Sequence, residues 1–591
     1  MKSQVFEEMK RVLKETISAK RNISSNFKVF AWEAGLGKSK FSTEFVAEAI
    51  INTFGSDSNK GFPTFLIVKK FKSDVEETVK AINLALGNFN GVNTGNEWVI
   101  GITSENWDDL RKHPDKLNKS LVLVITHQRY IELCKEELPP LFGNRETLII
   151  DEKIQFPTYT YSKAQYDIVR AKLPYKFQKK FDFLNDELLK RLEALDEKGK
   201  NKIITIKVDF ESSSIEFFLK QLNQAGLDSV KEIKEFFNEI NFFYNQEIIY
   251  NNSIFYSYNR ALKLRKLVNN IILDASATLD SVYHGEDFLF IEKRRIVDYS
   301  NSTFIGELKN SSRSAIVKDP KKYMNDAVRG AAEIIKSERR CLYILHKSEL
   351  KSISNALKEV NVSQESYHLP ETKKNLQEEN ENESVTDLKD YKLAINWYGN
   401  IIGQNNYSEF NMCHIIGTNN LPYPVYLIQY AIYQELQSLN QFDMTLEKGE
   451  FLDVELESVR KGFLAAEFYQ AAKRIQRNCN PKAIFILVHH SEHVIQMVVN
   501  EMKNIKVYII DRMSDNDVSG IATNTFGFRL AKYIETLEIG TYKKKQIAAA
   551  SGLDNKNFSR YLKNAAIQRF IDQGFVLIHH QSIEVVKKIH H

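Results

Sequence analysis

Short apolar runs alternate with amphipathic helical segments over the first 150 residues of the chain. The runs FLIV, LVLVI and TLII each lie between polar segments, a pattern that is typical of buried parallel strands. Another run, at residues 27–31, leads into a glycine-containing loop, and a helical pattern begins at Ser39. Because parallel strands need crossover connections that are usually helices, this region predicts an α/β domain with a parallel sheet.

The pattern changes at about residue 155. From 155 to 269, long segments rich in Lys, Glu, Leu and Phe indicate helices, and QEIIYNNSIFYSY predicts two strands around an Asn-Asn turn. The run NNIILD at 269–274 then returns to the buried-strand pattern. We therefore predict a first lobe over 1–154 and 270–305, with 155–269 as a mostly helical insertion that carries a hairpin.

A second alternating region predicts a second α/β lobe over 306–520, with strands at RCLYIL, KLAIN, MCHII and KAIFILV. Within it, TKKNLQEENENES is polar and predicts a mobile surface loop. The segment 527–591 predicts a separate unit. Ala548 and Gly552 have the spacing of a helix-turn-helix, and FVLIHHQSIEVV predicts a β-wing.

Composition excludes several protein classes. The chain has 591 residues, 43% of them hydrophobic and 27% charged, which is typical of a globular protein with several domains. The four cysteines are scattered, which excludes a disulfide framework and a zinc ribbon built from cysteine alone. No apolar run approaches the roughly 20 residues of a membrane helix, and the N-terminus lacks a signal-peptide pattern. We expect a cytoplasmic protein with no membrane partner.

Positive charge is concentrated at the C-terminal end of the chain. The net charge is +5, yet 527–591 alone holds 11 Lys and Arg against 5 Asp and Glu. Such an excess favours a polyanionic partner, and a solvated basic surface is the alternative. In the predicted second helix of this unit, Lys556, Arg560 and Lys563 are candidates for contacts with a DNA groove.

A candidate phosphate-binding loop follows the first predicted strand. It contains Gly35, Gly37, Lys38 and Ser39, and a helix begins directly after it. Glycines let backbone N–H groups approach a phosphate, the helix N-terminus and the lysine favour its negative charge, and the hydroxyl can hold Mg²⁺. Trp32 stands where the general pattern has its first glycine. The loop predicts binding of ATP with Mg²⁺.

A candidate acidic pair, Asp151 and Glu152, follows the apolar run TLII. Carboxylates at the end of a strand in the same α/β domain suit nucleotide hydrolysis. Asp151 is expected to hold Mg²⁺ together with Ser39, and Glu152 is expected to polarise the attacking water.

These residues resemble superfamily 2 helicases and translocases. AWEAGLGKS is similar to the phosphate loop of Swi/Snf-type remodellers and XPD/DinG-type helicases, and IIDEK to the DExx box. Ser276-Ala277-Thr278 matches the third motif, and QAAKRIQR matches the sixth motif, with Lys473 in place of its usual glycine. A divergent fifth motif is centred on Gly403, Gln404 and Asn405.

The resemblance implies two RecA-like lobes with one ATP site between them. In this site Gln470, Arg474 and Arg477 act from the second lobe, and the two arginines, three apart on one helix face, serve as arginine fingers. The residues of the third and fifth motifs, Ser276, Thr278, Gly403, Gln404 and Asn405, couple hydrolysis to movement. The places of the Ia and Ib motifs imply contacts with the nucleic-acid backbone at Lys69, Lys70, Thr126 and His127.

The large insertion is similar to that of the XPD/DinG branch. That branch commonly has four cysteines between the phosphate loop and the DExx box, whereas this chain has only Cys134 there. We therefore expect no iron–sulfur cluster.

The predicted function is that of an ATP-dependent DNA helicase or translocase. One alternative is a nucleotide-switched DNA-binding protein, such as a replication initiator or regulator, with little unwinding. Another is an RNA helicase. The predicted helix-turn-helix favours DNA, because the narrow major groove of A-form RNA does not admit a helix.

Overall fold

The computed structural model describes 2–19, 25–54, 61–88, 98–135, 143–197, 203–291, 295–370, 388–401 and 406–511, together with parts of 530–586. In these ranges no helix has both the length and the apolar character needed to cross a membrane. The chain begins with a series of alternating helices and strands. They are α1 (Lys2–Ser18), β1 (Phe27–Val29), α2 (Lys38–Phe54), β2 (Phe65–Lys69), α3 (Lys72–Gly87), β3 (Val99–Ile102), α4 (Trp107–Leu110), α5 (Pro114–Lys119), β4 (Val122–Thr126), α6 (His127–Cys134) and β5 (Thr147–Asp151).

The insertion follows and combines helices with a small sheet. Its elements are β6 (Tyr159–Tyr161), α7 (Lys163–Lys172), α8 (Tyr175–Glu197), β7 (Ile203–Lys207), α9 (Ser212–Gln224), α10 (Lys231–Ile240), β8 (Glu247–Asn251) and β9 (Ile254–Ser257). The strands form an antiparallel sheet in the order β6-β9-β8-β7. The predicted hairpin is confirmed: Asn252 and Ser253 at its turn have φ values of 50° and 63°, which suit a tight turn between antiparallel strands. The insertion has a separate hydrophobic core, which includes Phe181, Phe237 and Phe255.

After the insertion the chain returns to the first sheet through β10 (Asn269–Leu273) and β11 (Phe288–Phe290). This sheet is parallel, in the order β11-β1-β10-β5-β2-β4-β3. Strands β2, β4 and β5 are almost entirely buried, as a sheet covered by helices on both faces requires. Because β1, β5 and β10 are neighbours and parallel, the loops at their carboxyl ends meet at one edge.

The second lobe repeats this architecture. Its elements are β12 (Thr303–Leu308), α11 (Arg313–Lys318), α12 (Pro320–Val328), α13 (Ala331–Lys336), β13 (Cys341–Leu345), α14 (Leu350–Glu359), β14 (Tyr367–His368), β15 (Leu393–Trp397), β16 (Met412–Ile415), α15 (Tyr423–Tyr433), β17 (Leu446–Glu447), β18 (Glu450–Phe451), α16 (Val454–Ala472), β19 (Ile484–His489), α17 (Glu492–Asn500) and β20 (Lys506–Asp511). The parallel order is β14-β15-β13-β16-β19-β12-β20. The two predicted α/β lobes are confirmed. The proposed boundary at 305/306 falls within β12, a strand of the second sheet.

The lobes pack closely against each other. On α16, a Cβ at Gly462 would lie 2.3 Å from the carbonyl oxygen of Leu279 in the first lobe. The side-chain amide of Gln429 on α15 donates to the carbonyl oxygen of Phe156 at 2.8 Å and accepts from its N–H at 3.0 Å. Helices of the second lobe therefore contact the first lobe through backbone as well as side chains.

The C-terminal unit is described only in part. Its elements are β21 (Gly540–Lys543), α18 (Lys544–Ala550), α19 (Phe558–Tyr561), β22 (Val576–Ile578) and β23 (Ser582–Val585). The strands form an antiparallel sheet in the order β21-β23-β22, which contains the predicted wing. Ala548 and Phe558 are buried in its core. Gly552, Lys556, Lys563 and the side chain of Arg560 lie outside the described residues, so their contacts with DNA stay a prediction.

Candidate functional site

The glycine-containing loop joins β1 to α2. Gly35 and Gly37 have φ values of 89° and 78°, a conformation that glycine adopts without strain. Space is limited as well: a Cβ at Gly35 would lie 3.1 Å from Cβ of Arg477, and one at Gly37 would lie 3.0 Å from the Phe41 ring. The helix α2 begins at Lys38, so the positive end of its dipole is directed at the loop.

Lys38 is held by the loop itself. Its Nζ donates to the carbonyl oxygen of Trp32 at 2.6 Å and lies 3.4 Å from that of Glu33. These acceptors are neutral, whereas a phosphate oxygen carries charge and forms a stronger hydrogen bond with an ammonium group. The lysine is thus pre-positioned beside the loop for an anionic ligand.

The acidic pair lies at the end of β5, beside the start of α2. Ser39 Oγ donates to Asp151 Oδ1 at 3.0 Å, and Lys69 Nζ donates to Asp151 Oδ2 at 2.8 Å. Burial acts to raise the pKa of Asp151, but Lys69, the hydrogen bond from Ser39 and the charge of Lys38 outweigh it and hold the pKa below its usual range. Asp151 is therefore a carboxylate at neutral pH.

Glu152 adopts an unusual backbone conformation. Its φ is 68°, a left-handed geometry that costs a non-glycine residue about 1 kcal/mol or more and often occurs at functional sites. Its N–H donates to the carbonyl oxygen of Leu273 at 3.1 Å, and its Oε2 accepts from Lys70 Nζ at 3.3 Å. The bend at the end of β5 thus directs the carboxylate toward Lys70 and the cleft between the lobes.

The residues of the third motif connect the two lobes. Ser276 Oγ donates to Asp274 Oδ1 at 2.7 Å and accepts from Gln470 Nε2 of α16 at 2.7 Å. Thr278 Oγ1 donates to Glu501 Oε1 of the second lobe at 3.1 Å. A change in the distance between the lobes must therefore disturb this motif.

The structure corrects the predicted helical placement of the two arginines. The helix α16 ends at Ala472, so Arg474 and Arg477 lie in the loop after it and do not share a helix face. Only 6% of Arg474 is exposed, and its buried Nε has no hydrogen-bond partner in the described part of the chain. Burial lowers its pKa, and the negative charge of Glu152 acts in the opposite direction. An unsatisfied buried N–H donor is costly, and a phosphate oxygen would satisfy it.

Groups from both lobes line one cavity of about 710 Å³. They include Ser39, Asp151 and Glu152 from the first lobe and Gln470, Arg474 and Arg477 from the second. This volume is within the range of small-molecule and cofactor sites. The cavity therefore brings together the residues that the sequence assigned to ATP binding and hydrolysis.

Four further predicted residues lie at or just after the ends of β2 and β4, and two of them contact Asp151 directly. They are Lys69, Lys70, Thr126 and His127. Lys69 is only 4% exposed and is bonded to Asp151. His127 Nε2 lies 2.8 Å from the carbonyl oxygen of Asp151, and burial lowers its pKa to about 4, so it is a neutral donor at pH 7. Thr126 Oγ1 caps α6. Lys69 and His127 therefore support Asp151, and the contacts of these four residues with a nucleic-acid backbone stay a prediction.

Two acidic residues that line the cavity are not among the residues predicted from the sequence. Asp274 follows β10 and accepts from Ser276 and from the hydroxyl of Tyr283 at 3.1 Å. Asp74 lies in the first turn of α3 and lines the cavity. Burial raises the pKa of both carboxyls. Asp274 lies two residues before Ser276 of the third motif, whereas only the fold brings Asp74 to the cavity.

The centre of the predicted fifth motif and the cysteines complete the set of predicted groups. Gly403, Gln404 and Asn405 lie outside the described residues. Cys134, Cys341 and Cys413 are buried and Cys479 is exposed. Over the ranges that the structure covers, no three or more His, Cys, Asp or Glu side chains are grouped as a metal site.

No protein-family model and no curated protein sequence matches the chain. Among solved structures, S. tokodaii Xpd4 is similar, with 12% identity, coverage of 86% of this chain and 99% of that one, and a TM-score of 0.50. An XPD helicase is 12% identical over 85% and 99%, with a TM-score of 0.47. The DUF1998 helicase MrfA bound to DNA is 8% identical over 98% and 60%, with a TM-score of 0.39. The chain therefore shares the fold of Xpd4, which agrees with the predicted pair of lobes.

Proposed function

We propose that this protein is an ATP-dependent DNA helicase or translocase that hydrolyses ATP between its two lobes. The observation that carries the proposal is the hydrogen bond of 3.0 Å between Ser39 Oγ and Asp151 Oδ1. It joins the phosphate loop to the DExx box within a cavity that also holds Arg474 and Arg477 of the second lobe.

The residues present fit a magnesium ion. Mg²⁺ prefers hard oxygen ligands and is usually held by one or two protein groups together with substrate phosphates. The Ser39 hydroxyl and the ionised Asp151 carboxylate are such ligands, and they lie next to each other at the loop. When bound there, the ion would supply positive charge to the phosphates of ATP.

Each side chain has a role in this proposal. Lys38 exchanges the carbonyl oxygens of the loop for phosphate oxygens of ATP. Glu152, whose carboxylate follows Asp151 at the bend after the strand, accepts a proton from the attacking water. Arg474 and Arg477 place positive charge on the γ-phosphate from the opposite side of the cleft.

Contacts between the lobes support a coupling of hydrolysis to movement. Ser276 bonds to Gln470, and Thr278 bonds to Glu501, each across the boundary between the lobes. Closing the lobes on ATP and releasing them after hydrolysis would alter both contacts, which is the general way in which such motions are coupled to a chemical step. The movement of the lobes along a nucleic-acid strand follows from this cycle.

The preference for DNA rests on the C-terminal unit. A strand, two helices and a hairpin follow one another there, and the segment is rich in Lys and Arg. A helix followed by a basic second helix suits the major groove of B-form DNA, whereas RNA is recognised mostly through single strands and shape.

The test measures ATP hydrolysis by the purified protein without nucleic acid and with single-stranded DNA, duplex DNA or RNA. Strand displacement is measured on tailed duplexes of both polarities. We expect DNA to stimulate hydrolysis and ATP to drive movement or strand displacement. Nucleotide-dependent DNA binding without stimulated hydrolysis would instead support the nucleotide-switched binding protein, and stimulation by RNA alone would support the RNA helicase.

A further inference from the structure

Glu33 connects the phosphate loop to the chain segment that joins the lobes. It is completely buried, with 0% exposure. Its Oε2 accepts hydrogen bonds from the backbone N–H groups of Ile296 at 2.9 Å and Val297 at 3.0 Å. These two residues lie after β11 of the first sheet and before β12 of the second. Glu33 therefore belongs to the phosphate loop and is also hydrogen-bonded to the segment between β11 and β12, which we call the interlobe linker.

The other carboxylate oxygen of Glu33 is left without a partner. Its Oε1 is buried and makes no hydrogen bond in the described part of the chain. A carboxylate oxygen that is removed from water without a hydrogen bond is strongly disfavoured in a low-dielectric interior, more so than a neutral polar group. This oxygen therefore calls for a cationic or donor group.

Lys473 is such a group, and it belongs to the second lobe. It directly follows α16, is 1% exposed, and its Nζ makes no hydrogen bond within the described residues. The Nζ lies 4.8 Å from the centre of the Tyr299 ring, and Tyr299 is part of the interlobe linker. Burial lowers the pKa of Lys473 to about 8, and the negative charge of Glu33 opposes this shift. At neutral pH the side chain is an ammonium group.

A buried carboxylate of the first lobe and a buried ammonium group of the second thus lie within electrostatic range of each other, and neither is hydrogen-bonded by the other. Removing each ion from water costs several kcal/mol, and only close pairing compensates for that cost. Two apolar side chains could pack at the same place without this desolvation cost. The arrangement is best explained if the two groups pair directly in another position of the lobes.

Both groups lie beside residues of the proposed chemistry. The carbonyl oxygen of Glu33 lies 3.4 Å from Nζ of Lys38, and Lys473 precedes Arg474. Lys38 leaves the loop carbonyls when it binds a phosphate, so the loop around Glu33 changes its contacts at that moment. A bond to Lys473 would in turn fix the backbone that carries Arg474.

We propose that Glu33 and Lys473 are positioning residues for ATP hydrolysis, which form a direct ion pair when the lobes close and so hold Arg474 against the nucleotide. The inference rests on the proposed function. The sixth motif usually has glycine where this chain has Lys473, and a glycine could not form this pair.

The experiment compares Lys473→Met, Glu33→Gln and the double variant in steady-state ATP hydrolysis with saturating DNA. Methionine keeps the length of the lysine side chain, and glutamine keeps an acceptor for the linker N–H groups. We expect each single change to lower kcat by about tenfold, the size of a strong pairwise coupling, and to alter the KM for ATP by less than about threefold. The double variant should be no slower than the slower single variant, because each change alone already breaks the pair.

A pH profile supplies a readout that a purely structural role would not give. The groups around Lys473 are Glu33 on the phosphate loop, Tyr299 on the linker, Tyr469 on α16, and Arg477 and Cys479 after that helix. We expect kcat/KM for ATP of the wild-type protein to fall as the pH rises above about 8, because this ratio reports the free protein, in which the ammonium then loses its proton. This decline should be absent from Lys473→Met.

Loss of this proton does not by itself unfold the protein. The folded-state pKa of Lys473 is about 8 and its ordinary value is 10.5, so between these values the unfolded chain binds more protons. The contribution of Lys473 to the free energy of unfolding therefore rises with pH in this window. A fall in kcat/KM there reports loss of the ammonium that forms the pair. Unfolding curves at pH 7 and pH 9 would verify that the protein remains folded.

The exposed Lys482 after α16 provides a matched control, since Lys482→Met removes a charge from the same region without touching the pair. Three outcomes would each overturn the pair while the proposed function stands. They are single variants with kcat within twofold of the wild type, independent losses that multiply in the double variant, and a flat pH profile of the wild type. The wild-type profile decides the question even if the variants fold poorly. A wild-type protein without ATP hydrolysis would refute the proposed function and the pair together.

Discussion

The two lobes have the same architecture but present different kinds of groups to the cleft. The first lobe places Lys38 at the start of α2 and Asp151 at the end of β5, where both are already hydrogen-bonded by other groups of that lobe. The second lobe contributes the end of one helix and the loop after it, where the Nε of Arg474 and the Nζ of Lys473 have no hydrogen-bond partner among the described residues. The first half of the site is preformed, and the second is completed only by a ligand or by closure.

This difference predicts separate roles for the lobes. Changes in the first lobe should affect binding of ATP or the chemical step itself. Changes in the second lobe should leave binding nearly intact and slow turnover, because its groups act only in the closed state. The following variants test this division, in order of expected effect.

The largest effect is expected for Lys38→Ala. Removing the ammonium group at the phosphate loop should abolish ATP hydrolysis and weaken ATP binding, since both depend on the same charge. Turnover and binding of a fluorescent ATP analogue measure this. Lys80→Ala on the exposed face of α3 is a matched control that removes a lysine away from the loop. Turnover near the wild-type value in Lys38→Ala would place the ATP site elsewhere.

Arg474→Ala and Arg477→Ala should each lower kcat steeply while ATP affinity changes much less. Arginine fingers contribute about 10³–10⁵ in kcat in the GTPases where they have been measured. The two variants are compared with the wild type in kcat and in equilibrium ATP binding. An equal loss in binding and turnover would contradict the division between the lobes, because it would mean that the arginines already hold ATP in its ground state.

Glu152→Gln should still bind ATP but hydrolyse it slowly, by about 10²–10⁴ less than the wild type. The amide keeps the shape of the side chain at the bend after β5, yet it cannot accept a proton. A binding titration combined with single-turnover hydrolysis separates the two steps. If the variant lost ATP binding and kept its chemistry, Glu152 would have a structural role in the first lobe.

The sequence identifies the preformed half of the site better than the half that closes. The phosphate loop and the acidic pair each follow a buried strand, so the local hydrophobic pattern of the sequence indicates where both lie. The arginines were misplaced because the pattern QAAKRIQR continues as a helix, whereas the structure ends α16 at Ala472. The contact from Glu33 to Ile296 spans 263 residues, and no periodicity reports such a distance.

The same limit applies to the strands β11 and β12 and to the contact between Lys69 and Asp151, none of which the sequence predicts. Strand β11 has only three residues and β12 contains a glycine and a glutamate, so neither stands out as a buried apolar run. Lys69 lies at the end of a strand both in the sequence-based prediction and in the structure. Only the packing of β2 beside β5 reveals that its ammonium group is bonded to Asp151 and not directed at solvent.

The smallest effect on hydrolysis is expected from removal of the C-terminal unit, which lies outside both lobes in sequence. Deletion from residue 527 onward should leave ATP hydrolysis without DNA intact, because the proposed ATP-site residues all precede it. Binding to duplex DNA should weaken and depend less on salt, because 11 Lys and Arg leave with the segment. Each phosphate contact that is lost lowers the slope of log affinity against log salt by about 0.9. Affinities of the full and the shortened chain for one duplex, measured over a salt series, test this. Unchanged affinity and slope would mean that the unit packs or docks a partner and does not read DNA, and the two lobes alone would then account for binding.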